Sequence, residues 1–164
     1  MKHKGAELDD FDRKLIRLLT QDGRMSAGKA AQSLRVTPPT VRARLEALVR
    51  TGVLRIVALL DLSRASQFNI ALIGISLERH QQLDRKLEQI SNLRQVHWAA
   101  AVTGRFDLIV EIILENDMPD LYRFQSEDLL HVGGIRSSES FMVMKAKRKW
   151  ILLPESDGKA KQKV

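Results

Sequence analysis

Thr37-Pro38-Pro39-Thr40-Val41-Arg42-Ala43-Arg44 decides how the first third of this chain folds. Threonine followed by proline is a helix start, because proline at the first helical position lacks only an N–H that would have no partner there and brings its φ already set. Continued at about 100° per residue, the stretch becomes a helix with Val41, Leu45 and Leu48 on one side and Pro39, Ala43 and Ala47 on the other. The outward side is flat and built of small residues, edged by Thr40, Arg42 and Arg44. Small residues permit close approach to base edges in a major groove, and flanking arginines reach phosphates or the two acceptors of a guanine. A helix face that merely meets water could use the same residues, since alanine and arginine are both good helix formers.

The residues upstream complete a pattern. Residues 27–34 form a short helix capped by Ser26, with Ala30 and Ala31 small enough for close packing and Arg35-Val36 as the turn into the next helix. Before it, Phe11, Leu15, Leu18 and Leu19 fall at spacings of three and four, while Arg13, Lys14 and Arg17 stay wet. Asp9 is the expected N-cap, Asp10 and Asp12 suit the positive end of the helix dipole, and Asp22-Gly23 is expected to stop the helix through a positive φ. Three short helices ending near Gly52 have the layout of a helix-turn-helix.

Charge divides the chain in the same place. Residues 1–57 hold 12 Lys/Arg against 6 Asp/Glu, residues 58–144 hold 8 against 12, and residues 145–164 hold 7 against 2. The net charges are therefore +6, −4 and +5 within a total of +7. A basic head on an acidic middle points to one part that meets polyanions and another with a different task. The chain has no cysteine, which removes disulfides and thiolate metal sites. No window approaches about 18 consecutive apolar residues and no N-terminal signal is present, so a soluble, cytoplasmic protein without a membrane partner is expected.

Beyond an apolar run at 53–60, suited to an extended linker or strand, and a polar hinge at 61–69, the patterns follow the order strand, helix, strand, strand, helix, strand. The strands are expected at 70–77, 96–102, 108–114 and 135–146, and the helices at 82–90 and 121–130. This βαββαβ order is that of a ferredoxin-like unit, and the fold class is α+β. Leu108-Ile109-Val110 and Ile112-Ile113-Leu114 look buried on both faces, so a second subunit is the expected cover of the sheet face without helices. Trp98 and Trp150 are read as packing residues. Between the middle strands lies Val102-Thr103-Gly104-Arg105-Phe106-Asp107, where Gly104 fits a tight turn. Asp107 could accept from the ammonium group of a small zwitterion, or simply cap its own turn.

Taken together, Leu8-Asp9-Asp10-Phe11-Asp12, Gln21-Asp22-Gly23-Arg24-Met25-Ser26, Val41-Arg42-Ala43-Arg44-Leu45 with Gly52, and Thr103-Gly104-Arg105-Phe106-Asp107 resemble the leucine-responsive regulatory protein/AsnC family over residues 8–150. The resemblance implies a winged or simple helix-turn-helix head, a β-linker, and an effector-binding domain that pairs through its sheets into dimers and often octamers. It also implies that amino acids bind near the glycine-to-aspartate turn, with a partner subunit's last strand opposite. On that basis the effector site comprises Thr103, Gly104, Phe106, Asp107, Ser138 and Ser140, with Ser138-Glu139-Ser140 where the family often has threonines.

The expected organisation is a DNA-binding head at 1–57, a linker at 58–68, an effector-binding and oligomerisation domain at 69–150 and a basic tail at 151–164. Double-stranded DNA is expected to meet Arg24, Ser26, Thr37, Pro39, Thr40, Arg42, Ala43, Arg44 and Arg50. The expected function is that of a sequence-specific transcriptional regulator answering to a small effector, an amino acid in the first instance. It would work as a homodimer assembling further to a tetramer or octamer, associated with the nucleoid, with no metal, cofactor or catalytic residue. An architectural DNA binder with little effector control is one alternative. An enzyme on the same scaffold, as in related haem-precursor decarboxylases, is another, though His3, His80, His97 and His131 are scattered along the chain.

Overall fold

The computed structural model describes residues 7–61, 64–65, 67–115 and 117–152. The tail from 153 onward and His3 lie outside the described residues. The chain separates into two compact units, Met1–Val57 and Ala58–Val164.

The first unit has helices α1 (Asp10–Gln21), α2 (Ala27–Leu34) and α3 (Pro38–Arg50). Asp9 caps α1 reciprocally: its Oδ1 accepts from the Asp12 N–H at 2.8 Å, and Asp12 Oδ2 accepts from the Asp9 N–H at 3.2 Å. Ser26 Oγ accepts from the Lys29 N–H at 3.3 Å and caps α2. Leu15, Ala30, Ala31 and Val41 form the core, with Phe11, Leu18, Leu19, Met25 and Leu45 packed around them. The two alanines let α2 lie close to its neighbours, and burial of Leu15 and of Val41 stabilises the head by about 1.5–3 kcal/mol each.

Two local expectations are corrected. Gly23 does not take a positive φ. Instead Asp22 holds an extended cap, φ −143°, and folds the chain with its own side chain, Oδ1 accepting from the Arg24 N–H at 3.0 Å. Thr37 makes no side-chain bond to the start of α3; its hydroxyl pairs with that of Thr40 at 2.9 Å. Pro38 and Pro39 carry no N–H, so the first turn offers a threonine cap fewer donors. The run at 53–60, expected as an extended linker or strand, pairs only through its last residue and the next, β1 (Leu60–Asp61).

The second unit continues with β2 (Asn69–Leu77), α4 (Leu83–Ser91), β3 (Val96–Ala101), β4 (Leu108–Leu114), α5 (Asp117–Arg123), α6 (Leu129–Val132), β5 (Ile135–Met142) and β6 (Trp150–Ile151). Four strands form one antiparallel sheet in the order β3-β4-β2-β5, and β1 pairs with β6 apart from it. With its helical segments in one layer on one face, this is the ferredoxin-like arrangement. Ala71, Ile73, Ile75 and Leu77 of β2 and Leu108, Val110, Ile112 and Leu114 of β4 pack on Ile90, Leu121, Phe124 and Leu129 from the helices. The expected helix at 121–130 starts earlier and changes pitch: between α5 and α6, residues Phe124–Asp128 form a π-helical turn that keeps Phe124 fully buried. β5 ends at Met142 rather than near 146, and beyond it the Val143 N–H still donates to the Ile70 carbonyl at 2.9 Å.

The sheet face without helices is only partly closed. Phe68, Ile70, Ile113 and Ile151 form a small cluster at one end. Elsewhere the strand alternation turns Leu72, Trp98, Ile109 and Phe141 outward, and Trp98 and Phe141 are 49% and 45% exposed. Trp98 and Trp150 are thus half-exposed within one chain rather than packed.

Candidate functional site

In the head, the wheel drawn from the sequence survives. Val41 and Leu48 are buried, and Pro39, Thr40, Arg42, Ala43 and Arg50 are exposed. Among the described residues, Arg42 and Arg50 have no ion pair, so both guanidinium groups are available to phosphate or base edges. Arg24 and Ser26 are exposed at the start of α2, where Ser26 already caps the helix.

Arg44 differs. Its Nη2 lies 2.8 Å from Asp9 Oδ2 and its Nε 3.4 Å from Asp12 Oδ1, with the guanidinium 5.8 Å from the centre of the Phe11 ring. Asp12 is only 4% exposed, so the arginine neutralises a buried carboxylate and ties α3 to the first turn of α1. The Asp12 N–H and then the Arg44 charge, against opposing desolvation, hold the Asp9 carboxyl below its ordinary 3.8. Sequence reasoning placed Arg44 at the groove edge; its side chain is turned to α1.

In the second unit Gly104 takes φ +119°, which only glycine adopts freely, and leaves its surroundings open. The following Phe106 folds its ring onto β2 at Gly74, where an added Cβ would fall 2.5 Å from the ring. Phe106 also meets Phe141 edge-on, at 6.5 Å between centroids. Asp107 does not cap its own turn. Its Oδ2 accepts from the Leu77 N–H at 2.7 Å and its Oδ1 lies 3.0 Å from His80 Nδ1, fastening the start of β4 to the end of β2. The Leu77 N–H, against desolvation, and then His80 and Arg136 hold this carboxyl below its ordinary 3.8.

The sheet divides the remaining residues. Ser138 and Ser140 stand opposite Ile75 and Ile73, on the helical side, and Ser140 Oγ accepts from Gln125 Nε2 at 2.7 Å. Phe106 lies on the other side with Glu139, which pairs with Arg105 at 2.9 Å. One subunit therefore does not bring Phe106 and the two serines onto the same face. Thr103 is exposed beside Gly104. Sequence reasoning missed His80, Arg105 and Arg136; Gly74 inside an apolar strand was the available sign of a close approach.

A buried polar cluster interrupts the open face. Glu111, 7% exposed, meets His97 Nδ1 at 2.7 Å and Lys149 Nζ at 2.6 Å, and the Leu152 N–H donates to His97 Nε2 at 3.4 Å. His97 thereby holds the chain around β6 against the sheet. Among the described residues no group of three His, Cys, Asp or Glu could hold a metal ion, and no helix is long and apolar enough to cross a membrane.

Comparison with known proteins agrees with this architecture. Residues 8–49 match the AsnC-type helix-turn-helix domain and residues 70–150 the Lrp/AsnC ligand binding domain. An uncharacterized HTH-type transcriptional regulator of Pyrococcus abyssi is 34% identical over 146 residues, 88% of this chain and 90% of that one. The regulatory protein AsnC of Haemophilus influenzae is 21% identical over 84% of this chain and 91% of its own length. Among solved structures, a transcriptional regulator of Neisseria meningitidis in complex with L-Met superposes with a TM-score of 0.71 at 23% identity, covering 90% of this chain and 97% of that one. E. coli AsnC superposes with a TM-score of 0.70 at 19% identity, covering 86% and 95%. A basic three-helix head joined to a ferredoxin-like ligand-binding domain, matched along most of its length, makes this chain a member of the Lrp/AsnC family of DNA-binding transcriptional regulators.

Proposed function

We propose that the protein reads duplex DNA sequence-specifically through the outward face of α3, and that an amino acid bound at the 103–107 turn governs this by changing how copies assemble. The exposed α3 face carries the proposal: Arg42 and Arg50 stand free beside Pro39, Thr40 and Ala43. Arg42 and Thr40 are the base-edge candidates, while Arg24, Ser26, Thr37 and Arg50 position the head on phosphates. Arg44 acts through α1, holding α3 in place. The proposed organisation is a head at 1–57, a linker at 58–68, a sensor at 69–150 and a basic tail beyond.

The half-exposed Trp98 and Phe141, with Leu72 and Ile109 on the same sheet face, support a homodimer closed sheet to sheet. The serines lie on the opposite side from Phe106, which supports an effector site shared between subunits in a tetramer or octamer. The amino-acid class is supported by the structural neighbour bound to L-Met. An effector that prefers one assembly or one spacing of heads shifts the population toward it and so acts on DNA at a distance. A regulator of this kind works in the cytoplasm, at the nucleoid, and has no catalytic task.

Fluorescence anisotropy on duplex DNA from upstream of the protein's own coding region, against a scrambled duplex, at two salt concentrations and with a panel of amino acids, tests the proposal. Tight binding that depends on sequence and is changed by one amino acid is expected. Binding that ignores both would replace it with an architectural role.

A further inference from the structure

We infer that Arg35, in the turn between α2 and α3, is a phosphate contact that clamps the head on DNA whatever the base sequence. Arg35 ends α2 in the left-handed conformation, φ 56° and ψ 45°, and its N–H together with that of Val36 closes back on the Gln32 and Ala31 carbonyls. This is the helix-ending position that glycine fills at least cost and asparagine next. Among the described residues only Arg35 and Arg148 take a positive φ without being glycine. An arginine held in that conformation is strained, and strained residues persist where the side chain serves the site rather than the fold.

The side chain has no task inside the head. Arg35 is exposed and, among the described residues, makes neither an ion pair nor a side-chain hydrogen bond, unlike Arg44. Pro38, the first residue of α3, is three positions further on, so the Cα of Arg35 lies within about 11 Å of the start of the helix proposed to enter the groove. A free guanidinium at that distance from a groove-bound helix is within reach of the sugar–phosphate wall, and arginine binds phosphate in fork geometry. The inference rests on the reading of α3 as the DNA-reading helix.

The experiment compares wild type with Arg35→Asn, Arg35→Gly and Arg35→Lys, and with Arg42→Ala as reference, by measuring affinity for the upstream and scrambled duplexes across a salt series together with Tm. For Arg35→Asn and Arg35→Gly the expected result is an equal loss of affinity for both duplexes and a log–log salt slope shallower by about one. Tm should be unchanged for asparagine and raised for glycine. Arg35→Lys should keep the wild-type slope. A slope unchanged in the asparagine and glycine variants, or lost equally in the lysine variant, would overturn the inference while leaving the DNA-reading helix standing. If wild type itself shows no salt-dependent duplex binding, that reading and the inference fall together.

Discussion

The two units of this protein put charge to opposite uses. In the head, opposite charges meet at the join between helices, Arg44 on Asp9 and Asp12, so that the small core of Leu15, Ala30, Ala31 and Val41 is held shut and the outward face of α3 is left cationic. In the sensor the main core is large and apolar, while charge is gathered on the other side of the sheet, where Glu111 holds His97 and Lys149 among half-exposed aromatics. The head is thus satisfied within one chain and offers a surface that suits a polyanion. The sensor keeps an apolar surface that water covers at a cost, and the proposed dimer is what would complete it.

The sharpest way to break that contrast is to place a charge on the open sheet face. Phe141→Glu, opposite Leu72 on β5 and β2, should weaken dimerisation by on the order of a hundredfold or more, about 3 kcal/mol, because a carboxylate would lose its water in an apolar interface. Sedimentation equilibrium would read the change. A variant that remains dimeric at the wild-type concentration would show that this face is not the seam.

Next in size is the close approach inside the sensor. Gly74→Ala drives a methyl group into the Phe106 ring, which must leave its place on β2. A loss of about 1–3 kcal/mol is expected in denaturant unfolding of the sensor, with the head unaffected. Amino-acid response should go with it, because the 103–107 turn is positioned by that ring.

The third test sets two neighbouring arginines of one helix against each other. Arg44→Ala leaves the buried Asp12 carboxylate without its cation and should destabilise the head by about 1–2 kcal/mol, the partly exposed guanidinium limiting the effect. Arg42→Ala should change stability by less than about 0.5 kcal/mol and lower DNA affinity directly. Equal stability losses in a thermal melt would mean that the clamp is ornamental.

Those two arginines mark what the sequence could and could not tell. Local patterns identified the exposed face of α3, the caps at Asp9 and Ser26, and the succession of strands and helices along the sensor, because each depends on residues within a few positions of one another. Whether an arginine at the edge of a helix reaches outward or back depends on carboxylates more than 30 positions away, and nothing local distinguishes Arg42 from Arg44. The same holds for Asp107, whose partners Leu77 and His80 come from another strand and the turn after it. The left-handed turn at Arg35 and the π-helical turn at Phe124–Asp128 run against local propensity, so no pattern of neighbouring residues announces them.

Acid offers the finest comparison, since in each unit a described carboxylate is held below its ordinary 3.8: Asp9 through the Asp12 N–H first, Asp107 through the Leu77 N–H first. A depressed carboxyl binds fewer protons in the folded chain than in the unfolded one, so its contribution is complete above the unfolded value of about 3.9 and disappears as pH falls through the lower folded value. Asp107→Asn keeps an oxygen for the Leu77 N–H but removes the charge that faces His80 and Arg136. Its Tm should therefore fall modestly short of wild type at pH 7, and the gap should close between about pH 5 and pH 2 as the wild-type carboxylate is protonated. Asp9→Asn should behave alike in the head, although its carboxylate is open to water and the gap at pH 7 should be smaller. If the Asp107 gap persists unchanged at pH 2, the aspartate fastens β4 to β2 by shape and hydrogen bonding alone, and the sensor, unlike the head, owes nothing to charge at that seam.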